Sequence, residues 1–375
     1  MDKLEDYIRS NVFDYPTLVL DVEKVEENYK KLKSGLGNAH IHYAVKANPQ
    51  KEIINKLVKL GCRFDAASAE EIRICLYAGA KPEHISFGNT VKRPKDLEYA
   101  YAQGIKLYAA DAEEELDKIA KYAPNSEVFI RLLVTNSQAE WPLSRKFGCG
   151  QSKAIPLMEY AKSVGLKPIG ISFHVGSQTR HPEMWDDTLT YASEVWRDAV
   201  SNGFDMRLLN IGGGFPAFYG VPITDSEAYC QLLTKLISDK FGDVEYIMAE
   251  PGRGMVGNVG MISANVLLVS IKNEGDEVRW VYLDIGKFSG LAETAEEAIK
   301  YQFVTPDCRS NDRMSCVLAG PTCDSADVLY EHNKVKFPTD LKSGDRIFIK
   351  NCGAYTTTYS TVAFNGFPPL GVIVI

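Results

Sequence analysis

Residues 41–66 read IHYAVKANPQKEIINKLVKLGCRFDA. A short apolar run (41–46) leads into a stretch of helical periodicity (52–60), a glycine exit at Gly61 and a second short run (63–66). Strand, helix and strand in that order form the unit from which parallel sheets are built. The same pattern continues outward. Runs at 85–88, 106–109, 128–134, 170–174, 207–211 and 246–250 read as six more strands. Helical stretches at 70–78, 94–103, 112–122, 155–164, 184–201 and 226–241 lie between them. Eight strands separated by helices predict an α/β fold, a (β/α)8 barrel with right-handed crossovers. An open doubly wound sheet satisfies the same alternation and stands as the alternative. After Arg253 the pattern changes. Runs at 261–271, 277–284, 316–318, 346–350 and 371–375 read as strands with few long helices, and 15–22 is a strand-like run ahead of the barrel. The expectation is a barrel over 23–258 and a second, predominantly β domain formed by 1–22 plus 259–375.

The composition narrows the class. With 375 residues, 45% hydrophobic and 24% charged, the chain suits a globular protein that needs neither disulfides nor metals to hold its core. A net charge of −7 gives no support to a nucleic-acid or anionic-membrane partner. The eight cysteines contain no Cys-x-x-Cys pair, and no Cys/His cluster resembles a zinc site, so no metal is expected. Residues 1–10 carry Asp2, Glu5 and Asp6 without an apolar stretch and are not expected to act as a secretory leader. No 18 apolar residues run together. Reduced thiols in a cytoplasmic protein are the simplest reading.

Reactive groups of a barrel belong at the C-terminal ends of its strands. Four unusual segments fall there: Tyr43-Ala44-Val45-Lys46, His174 with Gly176 and Ser177, Gly212-Gly213-Gly214, and Glu250-Pro251-Gly252-Arg253. A lysine facing a pocket there can lose its proton by desolvation and become a nucleophile for Schiff-base chemistry. The plainer reading is a lysine that reaches water or pairs with Asp65. Three glycines at a strand-to-helix turn let backbone N–H groups approach an anion, and with Arg253 and Ser177 they suggest a phosphate cradle. Glu250 would protonate a ring nitrogen if the phosphate belongs to a pyridoxal; its alternative is an ion pair with Arg253 or Arg145. His174 suits either a ring face or a satisfied core. In the β domain, Gly320-Pro321-Thr322-Cys323-Asp324 and Gly353-Ala354-Tyr355-Thr356 read as functional loops or as surface turns.

Seven segments taken together resemble the barrel-type (fold type III) pyridoxal-phosphate decarboxylases, within them the ornithine, lysine and arginine decarboxylases, and particularly the compact bacterial ornithine decarboxylases. They are Tyr-Ala-Val-Lys (43–46), Phe-Asp-Ala-Ala-Ser (64–68), Ser-Phe-His-Val-Gly-Ser (172–177), Gly-Gly-Gly-Phe-Pro (212–216), Glu-Pro-Gly-Arg (250–253), Gly-Pro-Thr-Cys-Asp (320–324) and Gly-Ala-Tyr-Thr (353–356). The resemblance implies pyridoxal 5'-phosphate bound through a Schiff base to Lys46, with Glu250 at the ring nitrogen and His174 stacked on the ring. It implies phosphate contacts from Ser177, Gly213, Gly214, Arg253 and Tyr355, with Asp65 near the lysine and ring. Cys323 would return a proton to Cα, and Asp324, with Tyr355, would meet the substrate. It further implies a homodimer in which the loop carrying Cys323 and Asp324 reaches the neighbouring subunit's site. The reaction implied is decarboxylation of L-ornithine to putrescine, a step of polyamine synthesis.

Diaminopimelate decarboxylases look similar through the barrel but typically carry Cys-Glu-Ser where this chain has Cys323-Asp324-Ser325. Two departures matter. Pro142, in the segment 141–148, stands where animal ornithine decarboxylases have an arginine, a pattern shared with compact bacterial forms. The region that usually supplies a second substrate-binding aspartate reads AETAEEA at 292–298. Glu296 is assigned to that role, with Glu293 and Glu297 a turn or less away. Lysine or arginine as substrate, a dual ornithine/lysine activity and a non-catalytic regulatory homologue remain the alternatives.

Overall fold

The computed structural model describes residues 2–134 and 146–375. Two compact units make up the chain. One holds Val25–Pro216 with Ile223–Met255, and the other Met1–Lys24, Ala217–Pro222 and Val256–Ile375.

Strand β1 (Thr17–Leu20) belongs to the second unit. In the first, eight strands follow: β2 (His40–Ala44), β3 (Arg63–Ala66), β4 (Ile85–Phe87), β5 (Leu107–Ala110), β6 (Glu127–Arg131), β7 (Lys167–Ser172), β8 (Leu208–Asn210) and β9 (Tyr246–Ala249). Each pairs in parallel with the next, and β9 pairs with β2 to close the barrel. Closure excludes the open doubly wound alternative. Helices Lys51–Lys59, Ala69–Tyr77, Pro94–Ala102, Glu113–Tyr122, Gln151–Ser163, Asp186–Ser201 and Ser226–Phe241 run between the strands. Their starts follow local chemistry. Ser68 accepts from the Glu71 N–H, Asp225 accepts from those of Glu227 and Ala228, and Pro94 fills a first-turn position where no N–H is needed.

The barrel interior is divided. Ala109, Phe129, Ile169 and Leu208, from β5 to β8, form an apolar cluster. On β9 and β2 to β4 the corresponding positions are polar: Tyr246, His42, Arg63, Asp65 and Ser86. Strand ends differ slightly from expectation. β2 stops at Ala44, and Lys46 sits on a 3-10 turn, Val45–Ala47. Asn48 donates to the Val45 carbonyl (3.1 Å) and the Tyr43 hydroxyl to the Asn48 carbonyl (2.9 Å), which turns the chain out of the sheet. β6 ends at Arg131 instead of 134.

The second unit carries an eight-stranded sheet. Besides β1 it contains β10 (Gly260–Ser270), β11 (Val278–Leu283), β12 (Gln302–Val304), β13 (Arg313–Ala319), β14 (Val328–Pro338), β15 (Arg346–Lys350) and β16 (Gly371–Val374). The order is β12-β15-β10-β11-β13-β14, with β1 between β10 and β16. Sequence patterning missed β12 and β14. β12 has three residues, too few for a pattern. β14 is an edge strand whose middle, Glu331 to Lys334, is exposed and polar, so no buried face imprints an alternation. Ala217–Pro222 joins this unit through Asn351, which donates to the Phe218 carbonyl (2.9 Å), and through the Tyr219 and Tyr301 rings, 5.7 Å apart. The segment from Trp141 to Arg145 lies outside the described residues.

Candidate active site

At the C-terminal end of the barrel, the 45–47 turn is held against the Glu250 segment by a hydrogen bond from the Ala44 N–H to the Pro251 carbonyl (3.3 Å). Lys46 is exposed between buried Val45 and Ala47 and makes no hydrogen bond or ion pair with any described residue. A direct pairing of this amine with Asp65 is absent among the described residues. Its field is nevertheless felt by three neighbours, Asp65, Glu71 and His174. Asp65 is buried, and its carboxyl is pushed well above the usual range by burial and by Glu250; Lys46 and a hydrogen bond from Ser86 (3.0 Å) oppose this. Glu250 accepts from the Asn210 amide at 2.6 Å, while its own N–H donates to the Gly212 carbonyl at 2.8 Å. No ion pair joins Glu250 to Arg253 among the described residues, and Arg145 lies outside them.

His174 accepts at Nδ1 from the Gly176 N–H (2.9 Å), which fixes the plane of its ring. Burial, then Arg131 and Lys46, hold the imidazole well below its ordinary value, so it is neutral near pH 7. The glycine turn packs beneath it. A Cβ at Gly213 would sit 2.8 Å from the Glu250 carbonyl oxygen and 3.1 Å from His174 Nε2. Gly214 has φ +111°, a conformation that favours glycine. The Gly213 and Gly214 N–H groups donate to no described residue, and Gly213 is buried. Arg253, 4% exposed, donates from Nε to Ser177 Oγ at 3.3 Å. Behind this turn, Trp185, Phe215 and Tyr229 pack with their rings tilted against one another, with Trp185 donating to the Tyr229 hydroxyl (2.6 Å) and Tyr229 to the Thr179 carbonyl (2.7 Å). Backbone N–H donors without an acceptor among the described residues, one of them buried, a Cβ-free approach and a buried guanidinium fit a phosphate. An exposed amine and an oriented carboxylate fit the aldehyde and ring nitrogen of a pyridoxal.

The remaining candidates lie on the second unit. Of the eight free thiols, Cys323 alone is exposed among the described residues. Its loop is pinned from both sides. The Cys323 N–H donates to Asn365 Oδ1 (3.0 Å), and buried Asp327 accepts from the Thr322 N–H (3.2 Å), the Thr322 hydroxyl (2.8 Å) and the Lys287 N–H (2.8 Å). Asp324 is exposed and accepts from the Ala326 N–H at 2.9 Å. Tyr355 has φ +55° and packs its ring 5.7 Å from that of Tyr359. The three glutamates differ in their commitments. Glu293 is buried. Glu297 accepts from the backbone N–H groups of Glu331, His332 and Asn333 and from the Asn333 side chain. Glu296, at φ +52°, is exposed and makes no hydrogen bond or ion pair with a described residue.

Two contributors escaped the sequence reading. Arg131, at the end of β6, lies close enough to Glu250, Asp65 and His174 to shift or be shifted by each. Its signal was a lone cation closing the apolar run Val128–Ile130, EVFIR, in a strand whose end faces the site. Asn210, which orients Glu250, lies two residues ahead of the glycine turn, and nothing in its local sequence marks that role.

Residues 22–257 match the family described as "Pyridoxal-dependent decarboxylase, pyridoxal binding domain". The chain is 33% identical to a lysine/ornithine decarboxylase of Selenomonas ruminantium, over 94% of this chain and 87% of that protein. It is 30% identical to the ornithine decarboxylase of Schizosaccharomyces pombe, over 93% and 81%. The solved arginine decarboxylase of Paramecium bursaria Chlorella virus, bound to agmatine, superposes with a TM-score of 0.89 at 29% identity, covering 99% of this chain and 100% of that one. This chain belongs to the barrel-type (fold type III) pyridoxal-dependent decarboxylases of basic amino acids, and its cofactor is pyridoxal phosphate.

Proposed function

We propose that the protein decarboxylates L-ornithine to putrescine, with its catalytic groups divided between the barrel rim of one copy and the Cys323 loop of a second. One observation carries the division: the barrel rim holds an amine, an anion cradle and an oriented carboxylate, whereas the thiol and the Asp324 and Glu296 carboxylates stand exposed on the other unit. When bound, pyridoxal phosphate takes up the electron pair released as the Cα–carboxylate bond breaks. Lys46 Nζ provides the amine that anchors the aldehyde. Glu250, aimed by Asn210, keeps a proton on the ring nitrogen. His174, neutral and held at Nδ1, covers a ring face without adding charge. Gly213, Gly214, Ser177 and Arg253 bind the phosphate, and Tyr355 is carried over from the resemblance as a further contact. Cys323 of the neighbouring copy delivers the proton that replaces CO2 at Cα. Asp324 and Glu296 meet the distal ammonium, a role that suits exposed carboxylates with no cation already paired to them among the described residues. Glu297 is a poor candidate for it, because its oxygens are spent on residues 331–333.

The relatives' names support ornithine, lysine and arginine unevenly, and a competition assay separates them. With ornithine, lysine and arginine at equal concentration, putrescine should dominate the products. Predominant cadaverine or agmatine would replace ornithine as the assigned substrate while leaving the rest of the reading in place.

A further inference from the structure

The polar side of the barrel interior forms a continuous line from one end of the barrel to the other. It starts at the N-terminal ends of β9 and β3, where a cavity of about 510 Å³ is lined by Arg63, Tyr246, His42 and others. Arg63 Nη1 lies 2.6 Å from the Tyr246 hydroxyl. That hydroxyl lies 2.9 Å from His42 Nε2, and His42 Nδ1 lies 3.4 Å from Ser86 Oγ. Ser86 Oγ in turn lies 3.0 Å from Asp65 Oδ1, at the site. His42 and Ser86 are both buried, at 2% and 0% exposure, so water does not substitute for these contacts.

The direction of donation along the line follows from its first member. A guanidinium has no acceptor, so Arg63 donates and Tyr246 accepts. The tyrosine's own proton then points to His42 Nε2. Burial, with Arg63 next, lowers His42 to about 3, so the ring is neutral and carries a single proton. With Nε2 accepting, that proton is on Nδ1, facing Ser86 and the Phe64 carbonyl. The Ser86 hydroxyl, receiving at its oxygen, is free to donate to Asp65. Each bond polarises the next in the same sense.

We infer that His42 and Ser86 are positioning residues for the decarboxylase: through a one-way hydrogen-bond chain from Arg63, they hold Asp65 as an oriented anion beside Lys46. Asp65 needs such support. Burial is the largest influence against its charge, the Glu250 and Glu71 anions add to it, and Lys46 and Arg131 are the cations that face it. Arg63, His40 and His84 are the charged or titratable groups that face His42, and each adds to burial in disfavouring its protonation. The inference rests on the reading of Lys46 and Asp65 as parts of the cofactor site.

Two measurements test it. Nitrogen-15 NMR of the histidine-labelled protein reads the tautomer of His42 without reference to the cofactor; the Nδ1–H form is expected, unchanged down to pH 5. The Nε2–H form, or an imidazolium near neutral pH, overturns the chain, whether or not Lys46 binds pyridoxal. In the holoenzyme, Ser86→Ala should move the pH midpoint of the bound cofactor's visible absorbance downward by about half a unit or more, roughly a threefold change in the proton equilibrium. The sign follows because a less stable Asp65 anion lets the linkage nitrogen lose its proton at lower pH. Ser86→Thr, which keeps the hydroxyl, should restore the midpoint. A folded Ser86→Ala protein with an unmoved midpoint contradicts the positioning role. If the wild type shows no such absorbance, the cofactor reading itself fails, and the tautomer alone decides the chain.

Discussion

The barrel rim and the Cys323 loop solve opposite problems. At the rim, side chains are oriented by bonds within the barrel: Asn210 aims Glu250, the Gly176 N–H fixes His174, and Ser177 braces Arg253. What remains uncommitted there is suited to a ligand, namely the Lys46 amine and the buried Gly213 N–H. On the loop, the backbone is pinned by Asp327 and Asn365, yet the Cys323 thiol and the Asp324 side chain are exposed. Groups suited to cofactor capture are therefore concentrated in the barrel, whereas the thiol is presented outward on a firmly held stem. Precise presentation of an exposed group makes physical sense when another surface receives it.

If that division holds, variants on the two sides should fail differently. Cys323→Ala should lower putrescine formation on the order of 10²-fold, as expected for loss of a positioned proton donor, with cofactor affinity unchanged. Mixing Cys323→Ala with Lys46→Ala chains should restore activity, because each mixed dimer would hold one intact pair of groups. Failure of both inactive proteins to complement would count against a shared site. Gly213→Ala should show the reverse pattern. Its methyl group is driven against the Glu250 carbonyl and His174, so cofactor binding should weaken by about 1–3 kcal/mol, measured by titrating apoprotein, with the Cys323 loop unaffected. Normal cofactor affinity in that variant would break the account of the cradle.

The smallest effect concerns the Glu297 clamp. Burial alone would raise its carboxyl, but the His332, Asn333 and Glu331 donors outweigh burial and lower it from 4.5 to about 2. Because the folded value is depressed, its contribution is complete above about pH 4.5 and fades as the pH falls toward about 2. Glu297→Gln should flatten the acid limb of the melting temperature against pH, with little change in turnover. A loss of substrate affinity instead would move the substrate role from Glu296 to Glu297.

The barrel was legible in the sequence because each strand is a short, mostly buried run separated from the next by a helical stretch. Motif spacing also brought out Lys46, the three glycines and Glu250, since reactive residues at strand ends interrupt that pattern. Other features had no local signature. The exposed middle of β14 has no buried face to enforce alternation, and the turn that lifts Lys46 out of β2 depends on a Tyr43 hydroxyl bond five residues on. Arg131, Asn210, His42 and Ser86 acquire meaning only when barrel closure sets them beside residues far away in the chain. The commitments of Glu297 to residues 331–333 are equally non-local, so the three neighbouring glutamates could not be ranked from spacing alone.

The central claim is that the exposed Lys46 amine holds the pyridoxal aldehyde while the glycine turn holds its phosphate. Borohydride reduction of the holoenzyme followed by peptide mapping tests it most directly. A stable pyridoxyl group is expected on the peptide containing Lys46 and is expected to be absent from the Lys46→Ala protein. A label on any other lysine, or an undiminished label in that variant, would contradict it.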